Sequence, residues 1–387
     1  MTAQRIGAGI GSSLTAKGDI QTYTTTPARL PVGTDGQTLV ANSANASGLG
    51  WNQNFAAGKN KIINGDFYIN QRNFTSNTTA IYGFDRWAQA FSGGTSVTNS
   101  AQVFTPGTAP VAGYEGKNYN RQVTVGQSAA GDYAQIIQRI ESVRTLANQT
   151  ATISFWAKSA SGTPKISVEL QQNFGTGGSP SATVVTNAGQ VTLSTSWARY
   201  SVTVSVPSIS GATFGTNNDD MLVLALWTSA GSTYAARTGS MGTQNNTFDL
   251  WGVQVEPGSV ATAFQTATGT LQGELAAAQR YYVRIGDSSG ASNQRLARGS
   301  ANSTTSIQLT ATLPVQLRTG ASSTIDYANL QWYNGSAGVG AISSVTMSAT
   351  STTNPAIAAV TTGVVSGTFY ELLTTSTSGY IGFSAEL

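Results

Sequence analysis

NKIINGDFYINQRNFTSNTTAIYGFDRW, residues 60–87, is the run on which the reading of the fold turns. Ile62, Ile63, Phe67, Ile69, Tyr82, Phe84 and Trp87 supply its apolar content. Asn64-Gly65-Asp66 is a turn signal set among them. The plain reading is strand, turn, strand, with Asp85-Arg86 beside Trp87 as a charged pair closing over an apolar edge. Asp66, Arg72 and Asp85 are also candidates for ligand contact. The run opens a β-rich region that extends to about Phe264.

Composition narrows the chemistry. Only 10% of the 387 residues are charged, against about a quarter in an ordinary soluble domain, while 40% are hydrophobic. Forty-three glycines and abundant Ser and Thr describe strands, turns and a surface of hydroxyls and amides. The 7 Trp, 14 Tyr and 13 Phe are spread along the chain and ask to be buried, which excludes simple disorder. Cysteine is absent, so disulfides, thiol chemistry and cysteine-ligated metals fall away; histidine is absent, so imidazole catalysis and imidazole metal ligands do too. The net charge of +3 comes from 20 basic and 17 acidic residues with no basic stripe, so nucleic acid is not an expected partner. The most apolar run, Met221 to Trp227, is far too short to cross a membrane, and nothing reads as a signal peptide. Synthesis in a cytoplasm without membrane insertion is the expectation.

Outward from the opening run, hydrophobic alternation continues the β pattern. Ile166, Val168 and Leu170 alternate with polar neighbours, and Tyr200, Val202, Val204 and Val206 form the cleanest half-buried strand. Ile153, Phe155 and Ala157 alternate until Trp156 interrupts them. Met221 to Trp227 suits a central strand covered on both faces. Phe248 and Leu250 switch register to Trp251, Val253 and Val255, which predicts a bulge near Trp251-Gly252. Gln135 to Asn148 suits either a short helical turn or a strand. Thr270 is placed to cap a short helix with Leu271, Leu275 and Ala278 on one face. Beyond it, Ile307 to Leu317, Ile325 to Trp332, Ile342 to Met347, Val360 to Leu373 and Tyr380 to Leu387 read as the strands of a second, smaller β domain. Many short strands separated by Gly/Pro-rich loops give an all-β sandwich.

Four blocks taken in order carry a family resemblance. Gly18-Asp19, Pro27 to Gln37, Leu39 and Gly48 to Trp51 form the first. NKIINGDFYINQR with GFDRW is the second, FDLWGVQVEPGSVATAFQ at 248–265 the third, and GELAAAQRYYVR at 273–284 the fourth. Together they resemble bacteriophage tail-fibre and receptor-binding proteins, over most of residues 18–284. The resemblance implies a jelly-roll sandwich like that of carbohydrate-binding modules at 55–268 and an extended N-terminal attachment module at 1–54. A linking helix at 269–284 and a C-terminal β tip domain at 285–387 complete the organisation. It also implies a homotrimer in the virion, N-terminal contacts to other phage tail or capsid proteins, and adhesion to a bacterial surface glycan. A structural appendage such as a head fibre or decoration protein is the alternative, and a polysaccharide-degrading tailspike a third.

Sugars are met by aromatic faces and planar amides. The candidate ligand-binding residues are Tyr114, Tyr119, Gln172, Asn173, Phe174, Tyr234, Trp332 and Tyr333, with Gln171 to Phe174 read as a loop. Asn217, Asp219 and Asp220 have the oxygen chemistry of a structural calcium site, as do Asp66, Asp249 and Glu256, but none falls in a calcium-loop pattern. No other cofactor is expected. A hydrolase would need two carboxylates, for example Asp219 with Glu256, but separation in sequence says nothing about separation in space. The expectation is a binding protein rather than an enzyme.

Overall fold

The computed structural model describes residues 14–387 other than 35, 54–55, 112–113, 287–291, 320–323 and 337. The chain divides into two compact units, residues 1–56 with 260–264, and residues 57–259 with 265–387.

The first unit holds two antiparallel hairpins, β1 (Ile20–Tyr23) with β2 (Pro27–Leu30) and β3 (Gln37–Ala41) with β4 (Leu49–Gln53). Asp19 knots the first. Its carboxylate accepts from Arg29 at 2.7 and 3.2 Å and from the backbone N–H groups of Thr15, Ala16 and Val32. Arg29 above all holds that carboxyl well below the usual carboxylate range. The Trp51 indole donates to the Pro31 carbonyl at 2.7 Å, and its ring leaves no room for a Cβ at Gly33. Among the described residues of these four strands no side chain is buried. Two-stranded hairpins of this kind are marginal by themselves in water.

The second unit begins with a sandwich. Its strands are β5 (Ser76–Asn77), β6 (Ala88–Ser92), β7 (Ser96–Val103), β8 (Asn118–Val125), β9 (Tyr133–Glu141), β10 (Thr150–Ser159), β11 (Lys165–Asn173), β12 (Val184–Thr192), β13 (Ala198–Ser205), β14 (Met221–Ala230) and β15 (Thr247–Pro257). One sheet has the order β13-β10-β15-β8-β7-β5 and the other β12-β11-β14-β9-β6, all antiparallel. This is a jelly-roll-like sandwich. Ile153, Phe155 and Ala157 face Ile136, Val168, Leu170, Leu222, Leu224 and Leu226 across the core, all essentially buried. β14 is central in its sheet and covered on both sides, as its unbroken apolar run requires. The bulge falls on β15: Ser154 faces Gln254 while Trp156 faces Trp251, leaving an extra residue at Gly252-Val253. Gly252 takes φ +63°, which suits glycine. Gln135 belongs to β9, so the first half of the ambiguous 135–148 run is strand.

The opening run is not strand, turn, strand. Apart from β5 and an isolated bridge between Tyr82 and Ala88, it is a series of turns along the sandwich. Side chains supply the hydrogen bonds that a ladder would otherwise supply. Buried Asn60 donates to Val253 and Gln265 carbonyls and accepts from the N–H groups of Ile62 and Val255. Asn64, with φ +59°, donates to Ile69 and Asp85 carbonyls and accepts from Ile69 N–H. Trp87 donates to the Asn64 carbonyl at 2.8 Å. At Gly65 the two chains come so close that a Cβ would meet the Val253 carbonyl oxygen at 2.2 Å.

Asp85 and Arg86 do not pair with each other. Asp85 accepts from Gln71 N–H and side chain and lies 3.5 Å from Arg72, while Arg86 turns away to Glu386. Each is taken by other groups: Gln71 and Arg72 hold Asp85, while Glu386, the Arg139 carbonyl and the Tyr281 ring hold Arg86, which sits at φ +71°.

After β14 comes the short α1 (Ala235–Thr238), and after β15 comes α2 (Leu271–Gln279). Thr270 caps α2, accepting from Gly273 N–H at 3.1 Å. The buried face is Glu274 and Ala278, whereas Leu271 is exposed. Glu274 turns inward because it accepts from the N–H groups of Asn64 and Thr268.

The C-terminal part contains β16 (Tyr282–Ile285), β17 (Arg295–Ala301), β18 (Ser306–Thr310), β19 (Thr324–Ala328), β20 (Leu330–Tyr333), β21 (Val339–Ala349), β22 (Ala356–Thr361), β23 (Phe369–Thr374) and β24 (Tyr380–Ser384). β17-β18-β22-β21-β20-β23 close into a barrel, and β16-β24-β19 form a small sheet that shares its core of Ile307, Ile357, Leu372 and Phe383. The 325–332 run breaks into two strands at Asn329, φ +53°. This smaller β domain is clamped to the sandwich. Arg86 is fully buried, donates to Glu386 and to the Arg139 carbonyl, and lies 3.4 Å over the Tyr281 ring. Arg72 reaches the same Glu386 at 3.2 Å and lies 3.7 Å over Tyr282. Glu141 takes Arg280 at 2.7 and 2.9 Å and the Tyr281 hydroxyl at 2.8 Å.

Candidate functional site

The aromatic and amide candidates separate once the strands are placed. Gln171 to Asn173 are strand, not loop. Gln172 faces the interior and donates to the Pro207 carbonyl at 2.9 Å. The Asn173 side chain accepts from Gly175 N–H, and buried Phe174 packs edge-on against Phe214. Tyr114 donates to Asp66 at 2.7 Å; burial pushes both groups up, and the nearby Asp66 charge raises the phenol further. Tyr119 packs against Phe104 and Trp197, with ring centroids 4.8 and 5.4 Å away. Trp332 is buried in the barrel, donating to Thr361, and Tyr333 ends β20 half-buried. Tyr234 lies elsewhere, above the outer face of the five-stranded sheet.

The oxygen-rich loop is consumed by its own turns. Asp219 accepts from Thr176 N–H at 2.7 Å and from the Thr176 hydroxyl at 2.5 Å. The Asp220 carboxylate accepts from the Ser142 hydroxyl and from Val143 N–H, and Asn217 donates to Thr176. Glu256 takes Gln254 at 2.7 Å and lies 3.6 Å from Lys59, whereas Asp219 is engaged by Thr176. Among the described residues no group of three or more Asp or Glu gathers to hold a metal.

The outer face of the five-stranded sheet is built differently. Strand parity sends Tyr133, Gln135, Ile137, Arg139 and Glu141 of β9 outward, opposite Trp227, Ala225, Val223 and Met221 of β14. Ala88 and Ala90 of β6 continue the face on one side, Glu169 and Gln171 of β11 on the other. Ala88, Ile137, Val223 and Ala225 make a low apolar floor with Trp227 at one end. Tyr133 and Tyr234 stand at that end, their rings 5.0 Å apart and each packed against Trp227. Tyr82 and Arg139 mark the other end, about 20 Å along β9 at the usual rise per residue. The segment carrying α1 packs across β12, β11 and β14. Arg237 within it grips Glu169 at 2.6 and 2.8 Å and lies over Trp227.

Two polar groups on this floor lack partners among the described residues. The Gln135 side-chain oxygen and the Trp227 indole N–H are both buried and make no hydrogen bond, and the two residues face each other directly across the strands. Leaving such groups unmade is costly, so they mark where a polar ligand, or water standing in for one, belongs. A hydroxyl satisfies both kinds of group, since it accepts and donates. A recess of about 400 Å³ beside this face, between Ala129, Ala130 and the start of the α1 segment, is lined only by small side chains, among them Ser128, Ser232, Ser240 and Thr243, and by no aromatic ring or charged group.

Sequence reading named Tyr234 and touched Gln171, but missed Tyr133, Gln135, Arg139, Glu169 and Arg237. The signal was hidden because both sets of β9 side chains mix apolar and polar residues and so do not alternate in polarity.

Residues 59–220 match the model of a family described as a carbohydrate binding domain. No curated protein matches the chain. Solved structures that match part of the chain include the enzymatically active domain of tailspike protein 4 from bacteriophage CBA120, at 12% identity over 51% of this chain and a TM-score of 0.30. This chain covers 21% of that one. They also include a putative sugar binding protein from Bacteroides thetaiotaomicron, at 13% identity over 51% of this chain and all of the other, TM-score 0.32. A xylan-binding domain from Paenibacillus barcinonensis has 15% identity over 47% of this chain and 98% of its own length, TM-score 0.29.

Proposed function

We propose that this chain is a glycan-binding adhesin of a bacteriophage virion, a fibre protein that holds the particle to a bacterial surface polysaccharide. The observation that carries the reading is the outer face of the five-stranded sheet. There an apolar floor ends at paired tyrosine rings and at an amide and an indole with unfilled hydrogen-bonding capacity. Aromatic faces receive the apolar side of a sugar ring and the polar groups receive its hydroxyls. The family match over 59–220 supports the same class of ligand. Binding is reversible and needs no covalent chemistry. The hairpins of the first unit support an attachment role, because strands that bury no side chain of their own are completed by neighbouring chains. Three copies on one fibre would multiply weak sites into avid attachment.

The test is binding of labelled full-length protein to a panel of intact bacteria, with competition by their extracted surface polysaccharides, beside a Tyr133→Ala variant. Saturable binding to one strain, blocked by its own glycan and lost in the variant, is expected. An assembled protein that binds no strain of a panel including the host would end the adhesin reading in favour of a purely structural appendage.

A further inference from the structure

We infer that the glycan taken by this face is anionic, and that Arg139 is the residue that reads its charge. The inference rests on the glycan-binding reading above and goes beyond it by naming the ligand class.

Arg139 projects from the outer side of β9 beside the floor residues Ile137 and Val223. It is half-buried. One terminal nitrogen donates to the Tyr82 hydroxyl at 3.0 Å. Among the described residues its other guanidinium nitrogens have no hydrogen-bond partner, and no carboxylate comes within ion-pairing distance. The acids around it are already neutralised. Glu141, two residues along the same strand face, has both oxygens on Arg280 and one on Tyr281. Glu169 has both oxygens on Arg237 and receives Gln171 as well. Glu386 is held between Arg86 and Arg72. The Tyr82 hydroxyl in turn donates to the Leu387 oxygen at 3.2 Å, so the nearest terminal oxygen reaches Arg139 only through that hydroxyl, and no described carboxylate pairs with the guanidinium directly.

A guanidinium set against apolar floor and a tyrosine hydroxyl is partly stripped of water without a carboxylate paired to it directly. Its free edge offers parallel N–H donors that match a carboxylate or a phosphate two to one. A neutral sugar hydroxyl would satisfy a single donor and leave the charge uncompensated. A uronic acid, a pyruvyl ketal or a phosphodiester in the glycan satisfies both. With the tyrosine pair at the far end of β9, the site reads as an aromatic platform for one sugar and an anion seat for another further along the chain.

The experiment uses full-length protein and the surface polysaccharide extracted from the strain it binds. The polymer is titrated untreated, after carbodiimide–borohydride reduction of its carboxyl groups, and after removal of phosphodiesters with hydrofluoric acid. Wild type, Arg139→Gln, Arg139→Lys and Tyr133→Ala are compared, with thermal midpoints as a folding control. The expected result is a loss of tenfold or more on one of the two chemical treatments, and the treatment that causes it tells carboxylate from phosphate. Arg139→Gln should show the same loss on untreated polymer and no further loss on the treated one, with partial recovery in Arg139→Lys. Equal affinity for all three polymers, with Tyr133→Ala still impaired, would leave glycan binding standing and overturn the anionic assignment. The chemical treatments act on the wild type, so a poorly folded Arg139 variant does not blunt that arm. No binding of any polymer, treated or not, would overturn both readings.

Discussion

The two outer faces of the sandwich carry similar side chains in opposite conditions. On the six-stranded sheet, Tyr119, Phe104, Trp197 and Trp251 pack on one another with centroids 4.8 to 6.0 Å apart. Asp249 takes Arg121 at 2.7 and 2.9 Å and Lys158 at 3.6 Å, and Asp66 takes the Tyr114 hydroxyl. Aromatic rings there are structural cover, and the charges are matched. On the five-stranded sheet, tyrosines stand at the ends of an apolar floor, an amide and an indole are unfilled, and Arg139 has no acid. Aromatic content does not separate a ligand face from a structural one. Nor does an unfilled indole, since the buried Trp156 N–H on the six-stranded sheet also lacks a partner; what sets the five-stranded face apart is an unfilled amide and indole facing each other beside an arginine with no ion pair.

The largest expected effect tests whether the six-stranded face is held by the opening run. Gly65→Ala should destabilise the protein by about 3 kcal/mol or more, because the added methyl must push β15 from the Asn60–Trp87 segment. A denaturation midpoint within error of wild type would show that the two chains are not locked there. Next, Trp197→Ala should lower stability by about 2 kcal/mol, through lost packing on Phe104 and Tyr119, and leave glycan affinity unchanged. If affinity fell as well, the two faces would not divide structure from binding as described.

Tyr133→Ala should do the reverse, with affinity down about tenfold, or roughly 1.4 kcal/mol, and a smaller change in stability. Calorimetric titration and thermal melts on the same sample measure both. The smallest effect concerns pH. Arg280, and then the Tyr281 hydroxyl, hold Glu141 below its ordinary value of 4.5 against an opposing push from burial. A depressed carboxyl binds fewer protons folded than unfolded, so its contribution is present above that ordinary value and lost as pH falls through the lower folded one. The stability difference between wild type and Glu141→Gln should therefore be steady near neutrality and shrink below about pH 4.5. A difference that grew on acidification would contradict the pairing.

Much of the fold was legible. The central position of Met221–Trp227 followed from its unbroken apolar run, a half-buried strand from the alternation at 200–206, and the bulge from the register switch at Trp251-Gly252. The opening run misled because its apolar spacing suited a strand, while Asn60 and Asn64 satisfied the backbone through side chains. Leu271 was assigned to the buried face of α2 by periodicity alone, but Glu274 turned inward to meet two backbone N–H groups. The face of β9 stayed hidden because its outward residues, Tyr133, Gln135, Ile137 and Arg139, do not contrast in polarity with the inward ones, and no local pattern tells which of them lacks a partner.

By itself the sequence determined an all-β chain with a sandwich and a second small β domain, and it removed imidazole and thiol chemistry. These follow from composition and from period-two spacing, which act within a few residues of each other. Tertiary structure alone decided which aromatics are cover and which are free. It decided that Arg86 serves Glu386 three hundred positions away in the chain, and that Arg139 donates to a tyrosine hydroxyl rather than to an acid. Pairing and burial are set by long-range approach of strands, where the same Tyr or Arg is either spent or available according to what the fold brings against it.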